Sequence, residues 1–218
     1  MKRFEIIQTA DNSYTIKDNI INETFHSIQG AYSESMHVFI NEGLLLFNNK
    51  PKVNIFEMGF GSGLNVILTL LNKDASQRIY YVTVDKYPLP ESLFPDLINQ
   101  FNTNNEKELY KKIMECPWNK NIHINKNFIL KKILSDIETY TFDCTFDLIY
   151  YDAFSLKSQP ELWSESIFKK LYNALNTNGF IVTYACNKIA KNNLKSAGFK
   201  FERLKGALNK KHMLRAKK

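Results

Sequence analysis

Val53-Asn54-Ile55-Phe56-Glu57-Met58-Gly59-Phe60-Gly61-Ser62-Gly63-Leu64-Asn65 is the stretch on which the fold turns. An apolar run, a glycine-rich turn and a second apolar run predict a buried strand over 53–58, a tight turn over 59–63 and a helix over 64–71. In such a turn backbone can approach a ligand closely, where side chains would obstruct it, and a nucleotide-like cofactor is the natural occupant. The alternation continues downstream. Strands are predicted over 79–84, ending in Asp85, over 128–134, ending near Asp136, and over 146–151, ending in Asp152. A helix over 161–175, a turn over 176–179 and a fifth strand over 180–185 complete it. Nearly continuous apolar strands between helices predict a parallel sheet covered on both faces, and right-handed crossovers make it a doubly wound α/β, Rossmann-like domain.

Outward from this core, residues 4–9 and 14–17 alternate in polarity around Asp11-Asn12 and predict a hairpin. The spacing over 33–47 is helical, with Ser33 or Ser35 able to cap its start. Residues 1–48 are thus expected to form a hairpin-and-helix extension packed on a domain of residues 49–218. Within that domain, 91–127 is a polar, Asn- and Lys-rich insertion holding one or two short helices around Cys116-Pro117-Trp118. Residues 188–197 predict a helix closed by Gly198, and 199–204 with 212–216 a final hairpin.

A chain of 218 residues with 44% apolar content holds one well-cored domain and is not disordered. No apolar run reaches membrane-spanning length and no apolar signal core follows Met1, so a cytoplasmic location is expected. Cys116, Cys144 and Cys186 are far apart and odd in number, and His26, His37, His123 and His212 are isolated, which argues against a disulfide framework or a metal site and leaves the histidines structural or surface roles. The net charge of +7 is local. Residues 1–187 carry 18 Lys and Arg against 21 Asp and Glu, whereas residues 188–218 carry 11 against one.

The glycine spacing is GxGxG rather than the GxGxxG of dinucleotide sites, and Glu57 stands two residues before it. A carboxylate there would repel a pyrophosphate but suits the sulfonium and ammonium groups of S-adenosylmethionine. Asp85 can accept from ribose hydroxyls in either cofactor class, and Asp136 follows the strand where an adenine edge would lie. Asp152 sits at the switch point of the sheet and is the leading catalytic candidate. Methyl transfer from a sulfonium is an in-line displacement that needs alignment, a lone pair and exclusion of water. An acid at Asp152 can hold an amine by its N–H groups. It also favours the protonated amine, so the proton must leave through water or another base.

Several further segments carry a resemblance. Gly30-Ala31-Tyr32-Ser33-Glu34-Ser35, His37-Val38-Phe39-Ile40, the glycine turn, Asp85-Lys86-Tyr87-Pro88-Leu89, Asp152-Ala153-Phe154 with Pro160-Glu161-Leu162-Trp163, Ser196-Ala197-Gly198-Phe199 with Lys205-Gly206, and Lys210-Lys211-His212-Met213-Leu214 run in collinear order over about residues 25–215. The chain resembles the methyltransferase-domain family of the tRNA 5-methylaminomethyl-2-thiouridine biosynthesis bifunctional protein. The resemblance implies a class I S-adenosylmethionine-dependent fold and methylation of the aminomethyl group on C5 of the wobble uridine in the tRNA anticodon. It implies cofactor contacts from Glu57, Gly59, Gly61, Gly63, Asp85 and Asp136, with Phe60, Leu64, Asn65, Lys86 and Ile137 beside them. Asp152 would face the acceptor amine, with Tyr32, Glu34, Phe154 and Trp163 as substrate contacts. Ala153, Ser155-Leu156, Met36 and Ala207-Leu208 depart from the family's usual Gly, Ala-Pro, Arg and Phe-Gly, and bear on the acceptor more than on the reaction.

The bifunctional relatives also carry a flavin oxidase, for which this length has no room. A stand-alone methyltransferase is expected, its amine supplied by a separate oxidase or by upstream wobble-uridine enzymes. The basic end completes the picture: Lys188, Lys191 and Lys195 on one helix, with Lys205, Lys210 and Lys211 around the last hairpin, could grip phosphates, or could be a solvated surface only. Other readings are an N-methyltransferase for another amine or RNA position, a tRNA-binding module without chemistry, a cysteine-adduct methylase and an NAD oxidoreductase. Cys116 before Pro117 and the core character of Cys186 disfavour the third, and the glycine spacing with Glu57 disfavours the fourth.

Overall fold

In the computed structural model, which describes residues 2–218, the chain begins with three antiparallel strands, β1 (Phe4–Gln8), β2 (Tyr14–Asp18) and β3 (Glu23–Thr24), that form a small sheet of their own. Helix α1 (Ala31–Ser35), a π-helical turn (Met36–Asn41) and a 3-10 turn (Leu44–Phe47) lead into β4 (Lys52–Met58). Then follow α2 (Leu64–Asn72), β5 (Arg78–Asp85), α3 (Phe94–Ile98), α4 (Asn104–Glu115), β6 (Asn121–Asn125), β7 (Phe128–Leu134) and β8 (Phe146–Tyr151). The chain ends with α5 (Glu165–Ala174), β9 (Leu175–Thr183), α6 (Lys188–Ser196), β10 (Lys200–Lys205) and β11 (His212–Lys217).

The main sheet has the order β10-β11-β9-β8-β4-β5-β7-β6. Its inner strands β9, β8, β4, β5 and β7 run parallel, and β6 and the β10–β11 hairpin are antiparallel additions at the two edges. Alternate residues of the inner strands feed opposite faces. Ile55, Tyr81, Leu148 and Tyr150 pack with α2, α4 and the π turn, while Phe56, Val82, Ile149 and Tyr151 pack with α5 and α6. Every residue of β8 is buried, which is why its sequence reads as an apolar run rather than an alternation. The chain lays down β4, β5 and β7 in one direction, then returns to place β8 on the other side of β4. That reversal opens a crevice at the strands' carboxyl ends.

Several expected elements are revised. The helix over 33–47 begins earlier, at Ala31, breaks into π and 3-10 turns, and has no cap from Ser33 or Ser35. Its cap comes from the β1–β2 turn. Asp11 accepts from the Ser33 amide at 2.8 Å and from the Ser33 hydroxyl at 2.7 Å, and Ser13 Oγ accepts from the Ala31 and Tyr32 amides. The helix over 161–175 is a 3-10 turn, Pro160–Trp163, followed by α5 with Ser164 as its cap. The turn over 176–179 is an excursion within β9: Asn178 takes φ 65°, and pairing with β8 skips from Leu175 to Phe180. The insertion supplies edge strand β6, whose Asn-Ile-His-Ile-Asn sequence buries only Ile124 and so carries little strand signal. The final hairpin extends the main sheet through β11 and β9. No described helix is long and apolar enough to cross a membrane.

Asp11 ties the hairpin to α1, and against the cost of its burial the hydrogen bonds from Ser13, Thr9 and Ser33 hold its carboxyl well below the usual range. Asp11→Ala is expected to cost about 1–3 kcal/mol at neutral pH, read from urea midpoints. A depressed folded pKa gives stability that is present above the unfolded value of about 3.9 and lost as pH falls through the folded value, so the difference should shrink in strong acid.

Candidate active site

A cavity of about 300 Å³ occupies the crevice, within the range of small-ligand sites. Its floor is the carboxyl ends of β4, β5 and β8, and its roof is the N-terminal sheet, which contributes Arg3, Phe4, Phe25 and His26. The glycine turn is wedged between floor and roof. Gly59 adopts φ 87°, and a Cβ there would lie 3.2 Å from the Asp152 carbonyl oxygen. Gly61 adopts φ 50°, and its Cβ would lie 3.1 Å from the Phe25 ring. Asp85 pins the turn: Oδ2 accepts from the Gly61 amide at 3.1 Å and Oδ1 from the Tyr87 amide at 2.9 Å. Burial pushes the Asp85 carboxyl up, and those amides pull against it.

The polar insertion braces the turn from outside. The Tyr110 hydroxyl on α4 donates to the Ser62 carbonyl at 2.6 Å. Lys132, buried, donates to the Ile113 and Met114 carbonyls at the end of α4 and places its ammonium 4.8 Å from the Phe60 ring centre and 5.0 Å from that of Trp118. Burial lowers the Lys132 pKa. The cation–π contacts and two carbonyls solvate an ammonium that has no carboxylate partner among the described residues.

The four strand-end acids sit in four environments. Glu57 lies beneath the cavity floor, 1% exposed, among Asn65, Thr83 and Tyr81. Burial and the nearby Asp152 carboxylate push it well above the usual carboxylate range. Glu57 Oε2, Asn65 Oδ1, Tyr81 Oη and Thr83 Oγ1 all lack a hydrogen-bond partner. Asp136 pairs with Lys86 at 2.8 Å, and that contact and the Glu138 amide hold it low. Asp152 Oδ2 accepts from Asn65 Nδ2 at 2.8 Å and lies 3.8 Å from His26 Nδ1. Burial raises the Asp152 pKa, with His26 and Asn65 pulling back.

The chain after Asp152 is held from three sides. Tyr184 donates to the Ala153 carbonyl and Trp163 Nε1 to the Phe154 carbonyl, both at 2.8 Å. The Ser155 amide and hydroxyl donate to Glu23 of β3 at 3.1 and 3.0 Å. The Phe154 ring then meets Phe25 edge-on at 5.0 Å.

Of the expected site residues, Gly59, Phe60, Gly61, Leu64, Asn65, Asp85, Lys86, Asp136, Ile137, Asp152 and Phe154 line the cavity. Glu57 and Gly63 lie behind its wall. Trp163 is fully buried and acts as a strut under Phe154 rather than as a substrate contact. Glu34 is buried, accepts from the Ser27 amide and pairs with Lys210, whose ammonium lies 4.5 Å from the Tyr184 ring centre. Tyr32 is 45% exposed, outside the cavity lining. Lys188, Lys205 and Lys211 are exposed, with no acid partner among the described residues. Sequence reasoning missed the roof altogether. His26, expected to be structural or on the surface, stands beside Asp152, and only the path of the N-terminal sheet brings it there.

Residues 100–218 match the family described as S-adenosyl-L-methionine-dependent methyltransferase. The tRNA 5-methylaminomethyl-2-thiouridine biosynthesis bifunctional protein MnmC of Campylobacter hominis is 26% identical over 206 residues, covering 90% of this chain and 31% of that protein. The protein of the same name from Legionella pneumophila strain Philadelphia 1 is 28% identical over 231 residues, covering 88% and 34%. The chain therefore spans about a third of the length of these relatives. Among solved structures, MnmC2 from Aquifex aeolicus superposes with a TM-score of 0.82 at 24% identity, over 99% of this chain and 70% of that one. Spermidine synthase from Thermotoga maritima shares the fold at a TM-score of 0.58 and 11% identity, over 98% and 68%.

The buried Glu57 generates a pH test. An acid whose folded pKa is raised binds a proton that the unfolded chain has released, so stability is lost as pH rises from the unfolded value, about 4.3, toward the folded one. The urea midpoint of the wild type is expected to fall relative to Glu57→Gln between pH 5 and pH 8 and to rejoin it near pH 4. Parallel curves would mean that Glu57 is ionised in the fold.

Proposed function

The chain belongs to the S-adenosyl-L-methionine-dependent methyltransferase family, and from that premise we propose that it methylates the aminomethyl nitrogen on C5 of the wobble uridine of tRNA, with Asp152 at the acceptor. The cavity's chemistry fits the cofactor. The bare backbone of Gly59 and Gly61 gives a nucleoside a surface to lie against, and a Cβ at either glycine would meet the opposing wall. Asp85 offers carboxylate oxygens for ribose hydroxyls, and the Phe60 and Ile137 side chains offer apolar cover. Glu57 and Asp152, without a lysine or arginine in direct contact, suit a cationic ligand. When bound, S-adenosylmethionine supplies a methyl group on a sulfonium, which an amine lone pair displaces in line.

The observation that carries the reading is the placing of Asp152. Its carboxylate is only 9% exposed, is fixed by Asn65 and lines the cavity at the sheet's switch point. There it can accept an N–H of an amine and orient the nitrogen, while Phe25 and Phe154 flank the approach and keep water out. The names of the relatives specify tRNA 5-methylaminomethyl-2-thiouridine, in which the methyl group sits on an aminomethyl nitrogen at C5 of a uridine. A flat pyrimidine also suits an aromatic pair. In this reading the exposed Lys188, Lys195, Lys205 and Lys211 hold tRNA phosphates, and Lys210, already committed to Glu34, does not. The reaction takes place in the cytoplasm on tRNA that already bears the amine.

The direct test is radiolabelled methyl transfer. Label is expected on tRNA bearing 5-aminomethyluridine and absent from unmodified tRNA, and equal labelling of both would overturn the acceptor. Asp152→Ala is expected to keep S-adenosylmethionine affinity within about threefold while transfer falls by about 10²-fold or more. Loss of cofactor binding without a further loss of turnover would move Asp152 into the cofactor site. Replacing Lys188, Lys195, Lys205 and Lys211 by alanine should weaken tRNA binding and lower the salt slope by roughly 0.7–0.9 for each phosphate that is no longer neutralised. An unchanged slope would leave these lysines as a solvated surface.

A further inference from the structure

An alkylamine has a solution pKa near that of lysine, about 10, so at neutral pH it enters the cavity as an ammonium with no lone pair to offer. Asp152 does not remove this obstacle, because a carboxylate beside an ammonium stabilises the proton. The neighbouring polar groups are mostly committed. Glu34 is paired with Lys210, Glu23 is taken by the Ser155 amide and hydroxyl, and the Tyr184 hydroxyl donates to the Ala153 carbonyl. Asn65 does not titrate, and Glu57 lies beneath the floor, where burial favours its protonated form.

His26 is the exception. Its ring lines the same cavity and is 7% exposed, with Nδ1 3.8 Å from Asp152 Oδ2. Its backbone is fixed at both polar atoms by one residue of β2: the His26 amide donates to Thr15 Oγ1 at 2.9 Å, and the Thr15 hydroxyl donates to the His26 carbonyl at 3.2 Å. Thr15 is itself fully buried, so the ring hangs from a rigid part of the roof. The group that orients the acceptor and a group able to take its proton thus face one volume.

We propose that His26 is a catalytic base that takes a proton from the acceptor ammonium, leaving Asp152 to hold the imidazolium that results. This role rests on the aminomethyl acceptor argued above. One N–H bond of the ammonium breaks, and its electron pair stays on nitrogen as the lone pair that attacks the methyl carbon. One N–H bond forms on the imidazole. The methylated amine leaves as a cation, and His26 returns its proton to solvent when the cavity opens. A neutral imidazole beside a carboxylate becomes an ion pair in a site screened from water, which makes the transfer easier than it would be to an isolated imidazole. The charges facing the pair are Glu34 and Lys210, which offset one another, with Glu23 at the rim and Glu57 below.

The test is the pH dependence of single-turnover transfer to 5-aminomethyluridine tRNA. With an internal base, proton transfer from ammonium to imidazole conserves the proton count, so the wild-type rate is expected to level off above about pH 7 and stay flat to pH 9. His26→Gln must wait for solvent to deprotonate the amine. Its rate is expected to be about 100-fold lower at pH 7, to climb about tenfold per pH unit, and to come within about threefold of wild type by pH 9. Added imidazole should accelerate His26→Ala. Parallel pH profiles for wild type and His26→Gln would overturn the base role alone, whereas a wild type that binds S-adenosylmethionine yet labels no aminomethyl tRNA at any pH would overturn the acceptor and the base role together.

Discussion

Three backbone segments meet at the end of β4 with room for hydrogen and little more: the glycine turn, the Asp152 strand end and the roof that carries Phe25. A Cβ on Gly59 would come within 3.2 Å of the Asp152 carbonyl oxygen and one on Gly61 within 3.1 Å of the Phe25 ring, so either would crowd its wall. Because the turn is so close to both walls, a ligand resting on it is within reach of Asp152 on one side and of Asp85 on the other. The sheet reversal between β4 and β8 creates the crevice, but this close approach gives it a shape. Much of the remaining structure serves to hold the three segments in place. Asp85 ties the turn to β5, Tyr110 and Lys132 tie it to the insertion, and Glu23, Tyr184 and Trp163 tie down the chain beyond Asp152.

The electrostatics follow from where each acid ends up. Asp136 is neutralised by Lys86 at the cavity's edge, and Asp85 is satisfied by backbone amides. Glu57 and Asp152 are left close together in a dry place, each pushed toward its neutral form. A cation entering beside them would draw either acid toward its ionised form and be held by it, whereas a pyrophosphate would not, which is the selectivity that a sulfonium cofactor requires. The compensating positive charge stands outside, on α6 and the last hairpin, where Lys188, Lys195, Lys205 and Lys211 remain exposed.

What the sequence disclosed was local in origin. The strand, glycine turn and helix over 53–71, and the acids ending β5, β7 and β8, are written in consecutive residues, so periodicity and turn chemistry reach them. The misread features are joined across long stretches of chain. Asp11 caps α1 from 22 residues away, so the serines inside that helix took its place in a local reading. Lys210 meets Glu34 across 176 residues, a tie that no local reading reveals. Trp163 stood in a familiar motif, and only the packing of α5 and α6 reveals it as a strut. His26 carried no local signal at all: it stands alone between Phe25 and Ser27 with no second histidine or cysteine near it in sequence, and it acquires a role only because β1–β3 fold back over the sheet.

These relations reduce to one geometric claim, that the ligand lies on the Gly59–Gly61 backbone with its reactive end toward Asp152 and His26. A crystal structure of the full chain with S-adenosylhomocysteine tests it most directly. The ribose hydroxyls are expected on Asp85 and the sulfur on the Asp152 side of Gly59, under Phe25. A ligand seated instead in the hollow between Phe60 and Trp118, or with its sulfur turned away from Asp152, would contradict it.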